Sequence, residues 1–175
     1  MSARSPLTGR EPLLAALERH RVGYIVIGGA AAEARGWRGR TVDIDIVPSP
    51  DVENLDRLAA ALNELGARIA VGPDEPGGLP APGGFDRDLL ASSAIWNLTT
   101  PHGLLDIAFK PSGTDGYADL VRHATQALVP GSDRTILVAS SADIIRSKTA
   151  AARAKDLAVL PQLHAELDQH PGTRP

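Results

Sequence analysis

The sequence predicts an α/β (α+β) fold, and three patterns carry that prediction. An apolar run at 24–27 ends in Gly28-Gly29, passes into an Ala-rich segment at 30–35, and is answered by an apolar run at 42–47 that holds Asp43 and Asp45. That order is strand, glycine turn, helix, strand. The runs at 93–99 and 103–109 flank Thr100-Pro101-His102, a turn signal, and read as an antiparallel hairpin. The segments 51–65 and 140–159 carry apolar residues at helical spacing.

Taken in order, residues 1–10 are polar, carry Pro6 and Gly9, and read as a loose lead-in. In 11–20, Leu13, Leu14 and Leu17 share a helical face and Pro12 suits a first turn, which predicts an amphipathic helix packed on the sheet. Gly23 separates it from the first strand, and Gly36 closes the Ala-rich helix. Trp37 either packs at that helix end or stacks on a base. After the second strand, Pro48 and Pro50 end the extended segment. Val52, Leu55, Leu58, Leu62 and Leu65 then line one face of a helix stopped by Gly66.

A short strand is expected at 68–71, and 72–84 is so rich in Gly and Pro that it must be a loop, either functional or mobile. Segment 85–92 fits no single state. A short helix is expected at 117–125 and a strand at 135–139. Ser140 and Asp143 form a capping-box pattern with Asp in place of Glu or Gln, opening a helix that runs at least to Val159. Pro161 ends or kinks that helix, a short turn follows to Leu167, and the tail frays.

The chemistry concentrates on the first pattern. Strand side chains alternate faces, so Asp43 and Asp45 share one face while Val42, Ile44 and Ile46 pack on the other. Two carboxylates that close repel, and a fold tolerates them mainly around a cation. Mg²⁺ suits the site, because it takes oxygen ligands and is commonly held by one or two carboxylates plus substrate phosphates. Gly28 and Gly29, at a helix N-terminus, offer backbone N–H groups and room for a phosphate. These are parts of a metal-dependent phosphoryl or nucleotidyl transfer site.

Asp106 lies between Leu105 and Ile107 in the hairpin's second arm. It is either a third carboxylate of the same site or an acid exposed on an edge strand. His102, at the turn, is expected to be exposed. Along the last helix, Ile145, Ala152, Asp156, Leu160 and Leu163 fall near one face, which puts Asp156 among apolar neighbours, with Lys148 about 80° away around the axis. Lys148 and Asp156, with Arg153 or Lys155, form either a structural ion-pair set or part of the site.

The chain has 175 residues, no cysteine and a net charge of −3 at pH 7, which fits one domain without disulfides or thiolate metal sites. The domain is expected to span 1–175, with a core at about 11–139 and a helical segment at about 140–169. No apolar run approaches the ~18–20 residues that cross a bilayer, and no signal-peptide layout opens the chain, so a soluble cytoplasmic protein with no membrane partner is expected. The acidic total argues against a globally basic nucleic-acid binder, but charge is clustered. Arg35, Arg38 and Arg40 precede the carboxylates, and Arg146, Lys148, Arg153 and Lys155 share the last helix. They either flank the site or are solvated faces.

Gly28-Gly29, thirteen intervening residues, and Asp43-Ile44-Asp45 resemble the signature of the nucleotidyltransferase superfamily. The approach from Arg38 and Arg40 through Thr41-Val42 to the carboxylates, with the later Lys148…Lys155-Asp156, resembles the AbiEii/MenT-type branch, whose members are mostly toxins of bacterial toxin–antitoxin systems. The resemblance spans roughly residues 22–160.

It implies the nucleotidyltransferase fold, a mixed central sheet flanked by helices with further helices at the C-terminus. It also implies Mg²⁺ as cofactor, an NTP as substrate, RNA and in particular the tRNA 3′ end as acceptor, and an antitoxin as partner. Asp43, Asp45 and Asp106 would hold metal, Gly28, Gly29 and Arg40 would contact the nucleotide, Lys148 would face its phosphates, and Asp156 would belong to the active site. One departure stands out, since many superfamily members carry Gly-Ser where this chain has Gly28-Gly29. Two alternatives share the motifs. A small-molecule, aminoglycoside-type nucleotidyltransferase should show an acidic pocket, and a non-catalytic nucleotide-binding module should turn Asp106 away from Asp43 and Asp45. A dinucleotide-binding site lacks its Gly-x-Gly-x-x-Gly spacing.

Overall fold

The computed structural model describes residues 9–129 and 133–168, so all but the last two residues of the lead-in expected at 1–10, and the tail beyond 168, lie outside the described residues. Helix α1 (Glu11–Arg19) buries Leu13, Leu14 and Leu17. Strand β1 (Tyr24–Ile27) leads directly into α2 (Gly28–Ala34), whose Ala30, Ala31 and Ala32 are buried. Strand β2 (Asp43–Pro48) reaches one residue into the Pro48-x-Pro50 segment expected to end it. Ile44 and Ile46 are buried as expected, but Val42 is 81% exposed, because it lies just outside the strand.

Helix α3 (Val52–Glu64) buries Leu55, Leu58 and Leu62, while Val52, in its unpacked first turn, is exposed. After β3 (Arg68–Ile69), the Gly/Pro-rich segment is held in place. Ile69 and Leu79 exchange backbone hydrogen bonds of 2.8 Å, and the Arg68 guanidinium donates to the carbonyls of Gly77 and Gly78. The segment therefore covers the sheet's β3 edge. The ambiguous stretch 85–92 contains α4 (Arg87–Ala91), capped by Asp86, whose carboxylate accepts from the Leu89 N–H.

Strands β4 (Ile95–Thr100) and β5 (Gly103–Ala108) form the expected antiparallel hairpin. The helix expected at 117–125 is only α5 (Tyr117–Leu120); a turn follows it, and β6 (Thr125–Leu128) begins where the helix was expected to end and pairs with β7 (Thr135–Val138). Among the described residues the sheet has seven strands in the order β3-β4-β5-β2-β1-β7-β6. It is mixed: β1 runs antiparallel to β2, and the β2–β5 and β1–β7 pairs are parallel. Asp106 is thus on an interior strand, which excludes the edge-strand alternative. Ile44 and Ile46, facing away from the carboxylates, join Leu58 and Leu62 in the core.

The long final helix is two. Helix α6 (Ser141–Ala151) ends at Ala152, which has φ of 51°, and α7 (Ala154–Asp168) starts afresh. A left-handed alanine stops the helical ladder, so the expected face shared by Ile145, Ala152 and Asp156 does not exist. Pro161 lies inside α7 without ending it. At the start of α6, Ser140 Oγ accepts from the Asp143 N–H at 3.1 Å. The Asp143 carboxylate accepts from the Ser140 hydroxyl, not from a backbone N–H as in a full capping box. No helix among the described residues is long and apolar enough to cross a membrane.

Candidate active site

Three carboxylates converge on one face of the sheet. Asp45 and Asp106 are direct neighbours across the parallel β2–β5 pair, and Asp43 lies two residues before Asp45 on the same face. Oxygen atoms from all three lie within 4.8 Å of one another, a spacing that could hold a metal ion. Burial, then repulsion from Asp43 and Asp106, pushes the Asp45 carboxyl up to about 7, against the pull of Lys148 and Lys155. Burial and Asp43 raise Asp106 as well, opposed by Lys155 and Arg153. Three crowded carboxylates, two of them held above their ordinary range by burial and by their neighbours, form a site that favours a bound cation.

The glycine turn is fitted to this cluster. Gly28 has φ of 63°, and a Cβ there would lie 2.3 Å from Asp45 Oδ2. Backbone conformation and space both require glycine. At Gly29 an added Cβ would lie 2.7 Å from the Cβ of Thr41. Serine is missing from the turn because Thr41 already fills its place.

Thr41 belongs to a set of residues that the sequence reading did not assign. Its hydroxyl donates to Asp43 Oδ1, and its N–H donates to Glu33 Oε1 at 2.6 Å. Arg10 pairs with the other Glu33 oxygen at 3.2 Å and also donates to the Thr41 carbonyl. Glu33 and Arg10 thereby fix the segment entering β2, and Thr41 fixes a carboxylate of the cluster. The available signal was Glu33 itself, a lone acid in an alanine helix.

The cluster opens into a cavity of about 520 Å³, whose walls include Gly28, Gly29, Arg40, Lys148, Lys155 and Asp156. No residue of 72–84 lines it. Trp37 reaches its wall but packs against the core, and an added Cβ on Gly39 would lie 1.9 Å from its ring. His102 is exposed at its turn.

Lys148 Nζ pairs with Asp156 Oδ1 at 3.1 Å, and Arg153 bonds the other Asp156 oxygen. This contact depends on the helix break at Ala152, which folds α7 back against α6. Asp156 is 1% exposed; burial works against its charge, but hydrogen bonds from Arg153 and Lys148 hold its carboxyl below the usual range. The Lys148–Asp156–Arg153 ion-pair set therefore exists, and it borders the cavity.

The two basic clusters divide. Arg35 donates to the carbonyls of Val138 and Ala139, and Arg146 pairs with Asp119 and Asp143. These two are structural ties. Arg40, Lys148, Arg153 and Lys155 line the cavity.

No protein-family model matches the chain, and no curated protein matches its sequence. Solved structures do match its fold. The solution structure of the antibiotic-resistance factor ANT(2'')-Ia aligns with a TM-score of 0.58 at 18% identity, covering 92% of this chain and 83% of that one. The crystal structure of ANT(2'')-Ia in complex with adenylyl-2''-tobramycin aligns at 0.52 and 20% identity, covering 89% and 85%. The lincosamide antibiotic adenylyltransferase LnuA, lincomycin-bound, aligns at 0.54 and 17% identity, covering 90% and 96%. The sheet and helices of this chain have the nucleotidyltransferase fold.

Proposed function

We propose that this chain is a Mg²⁺-dependent nucleotidyltransferase that moves a nucleoside monophosphate from an NTP to a hydroxyl of RNA, with the tRNA 3′ end as acceptor. The observation that carries the reading is the convergence of Asp43, Asp45 and Asp106 beside the Gly28-Gly29 turn, with Lys148 on the same cavity wall. The nucleotidyltransferase fold supports it.

The donor set of three crowded carboxylates fits a hard divalent cation. Mg²⁺ held by Asp43, Asp45 and Asp106 would supply charge neutralisation and polarisation at the reacting phosphate. The chain's own groups do the rest. Gly28 and Gly29 leave room for the triphosphate, and Arg40 and Lys148 meet its negative charge. Buried Asp156 aims Lys148 into the cavity. The acceptor oxygen forms its bond to the α-phosphorus as the bond from that phosphorus to the β-phosphate oxygen breaks. Pyrophosphate leaves with the electron pair, and the acceptor proton passes to the Asp106 carboxylate, which stands beside Asp45 at the reacting centre. Positioning and electrostatics supply the catalysis.

RNA is favoured as acceptor by the charge of the walls. Outside the triad, the cavity's two acids are already engaged, Asp143 with Arg146 and Asp156 with Lys148 and Arg153. A polycationic acceptor finds no free carboxylate there, whereas a polyanion meets Arg40 and Lys155. The resemblance of Gly28-Gly29…Asp43-Ile44-Asp45 and Lys148…Lys155-Asp156 to the AbiEii/MenT-type branch supports a toxin role with a cognate antitoxin. The second reading, a small-molecule acceptor, is favoured by the two fold neighbours solved with adenylyl-2''-tobramycin and with lincomycin.

The test is incubation with total tRNA, Mg²⁺ and each labelled NTP in turn, with Asp45→Ala as control. Label entering RNA with wild type alone supports the reading and names the base. NTP binding without label moves the acceptor to a small molecule, and absence of binding leaves a non-catalytic module.

The tie between Thr41 and Asp43 gives a separate expectation. Thr41→Val and Glu33→Gln should each weaken Mn²⁺ binding, measured by calorimetry, by roughly tenfold, the range seen when residues orienting a metal ligand are lost. Thr41→Ser keeps the hydroxyl and should bind as wild type. Equal losses in Thr41→Ser and Thr41→Val would show that the hydroxyl plays no part.

A further inference from the structure

One register row crosses four strands at the heart of the site: Ile27, Asp45, Asp106 and Asn97, on β1, β2, β5 and β4. Its β1 end runs straight into Gly28 and Gly29, on the side where α6 brings Lys148. At its other end, β4 itself contributes no glycine and no basic residue. In phosphoryl transfer the entering and leaving oxygens stand roughly in line on opposite sides of the phosphorus. With the triphosphate and departing pyrophosphate on the glycine and lysine side, the entering hydroxyl comes from the β4 side.

What stands there is unusual for a sheet face. Asn97 is beside Asp106, exposed, lines the cavity, and has no side-chain hydrogen-bond partner among the described residues. Ile95, two residues back on the same face, also lines the cavity and is 60% exposed. Leu104, on the Asp106 face of β5, is 42% exposed. An unpartnered amide next to the proton-accepting carboxylate, beside a bare aliphatic surface continuous with the cavity, matches a sugar hydroxyl and the flat face of a base.

We infer that Asn97 and Ile95 form the acceptor subsite, Asn97 hydrogen-bonding the terminal ribose of the RNA and Ile95 supporting its base. This rests on the nucleotidyltransferase reading above. Asn97 and Ile95 are positioned to hold the acceptor oxygen near Asp106, and neither touches the donor triphosphate.

The test measures steady-state kinetics with labelled NTP and tRNA for wild type, Asn97→Ala and Ile95→Ala, with NTP binding to each protein followed separately. The expected result is an acceptor KM raised about tenfold in each variant, with NTP affinity and kcat within about twofold of wild type. Unchanged acceptor KM in both variants would overturn the subsite, as would equal losses in acceptor KM and NTP affinity. Ile95→Leu, which keeps an aliphatic surface, should restore the acceptor KM; failure to do so while Ile95→Ala is impaired also counts against it. If wild type labels no RNA with any NTP, the RNA-acceptor reading on which the subsite rests has failed and the subsite falls with it.

Discussion

Asp45→Asn is expected to lower nucleotidyl transfer by about a thousandfold or more and to make the metal-free protein more stable. The first effect follows from removing a charged ligand from the centre of the carboxylate cluster. The second follows from linkage. Burial and repulsion from Asp43 and Asp106 push the Asp45 carboxyl up to about 7 in the folded chain, well above its ordinary value of 3.8. Between those values the native state holds a proton that the unfolded state has released, so stability falls as pH rises from about 4 to about 7 and levels off above. A rise of that size has a ceiling of about 4 kcal/mol, and solvent screening reduces this to about 2 kcal/mol. Asp45→Asn removes that loss. Melting in EDTA at pH 5 and pH 8 should show wild type losing stability at the higher pH and the variant losing much less, while added Mg²⁺ raises wild type alone. A variant less stable than wild type at pH 8 without metal would show that the three acids do not strain the fold.

Gly28→Ala is expected to destabilise the chain by about 3 kcal/mol and to abolish activity. Two costs combine, a left-handed backbone at φ of 63° and a methyl group placed 2.3 Å from Asp45 Oδ2. They can be separated. Asp45→Ala removes the oxygens that the new methyl group meets, so the double variant should recover the steric part and leave about 1 kcal/mol of backbone strain. Urea denaturation of the two single variants and the double gives the coupling directly. Strict additivity would mean that the glycine and the carboxylate do not compete for space. Gly36→Ala, with nothing within 4 Å of the added Cβ, has φ of 96° and isolates the backbone cost alone.

The site was legible where its determinants are local. Asp43 and Asp45 share a face because strands alternate, and the Thr100-Pro101-His102 turn fixes the hairpin that carries Asp106. The pairing of Asp45 with Asp106 depends on how β5 docks beside β2, a long-range register that the two strands do not encode separately. The final helix misled because its apolar spacing continues smoothly across 140–159, while the break at Ala152 depends on packing of α7 against α6 and on the salt bridges made by Asp156. Alanine is a strong helix former, so no propensity signals a stop there. Segment 117–125 failed differently: its helix stops at Leu120, and β6, which begins at Thr125, is an edge strand with three of its four residues exposed and little alternation to read. Thr41 and Glu33 were visible as residues but not as partners, since their contact joins a helix to the segment entering β2.

The β4–β5 hairpin has a consequence for how such a chain diversifies. β4 and β5 are adjacent in sequence, joined by a tight turn, and β4's outer neighbour is the two-residue β3. The groups proposed to handle the triphosphate come from 24–45 and 140–156, distant in sequence from β4. Exposed residues on β4 can therefore be exchanged while Asp106, one strand inward, keeps its place. On the proposed function, the hairpin is a local cassette in which the choice of what receives the nucleotide can drift independently of the machinery that delivers it, and grafting β4 alone between such folds is the engineering route it offers.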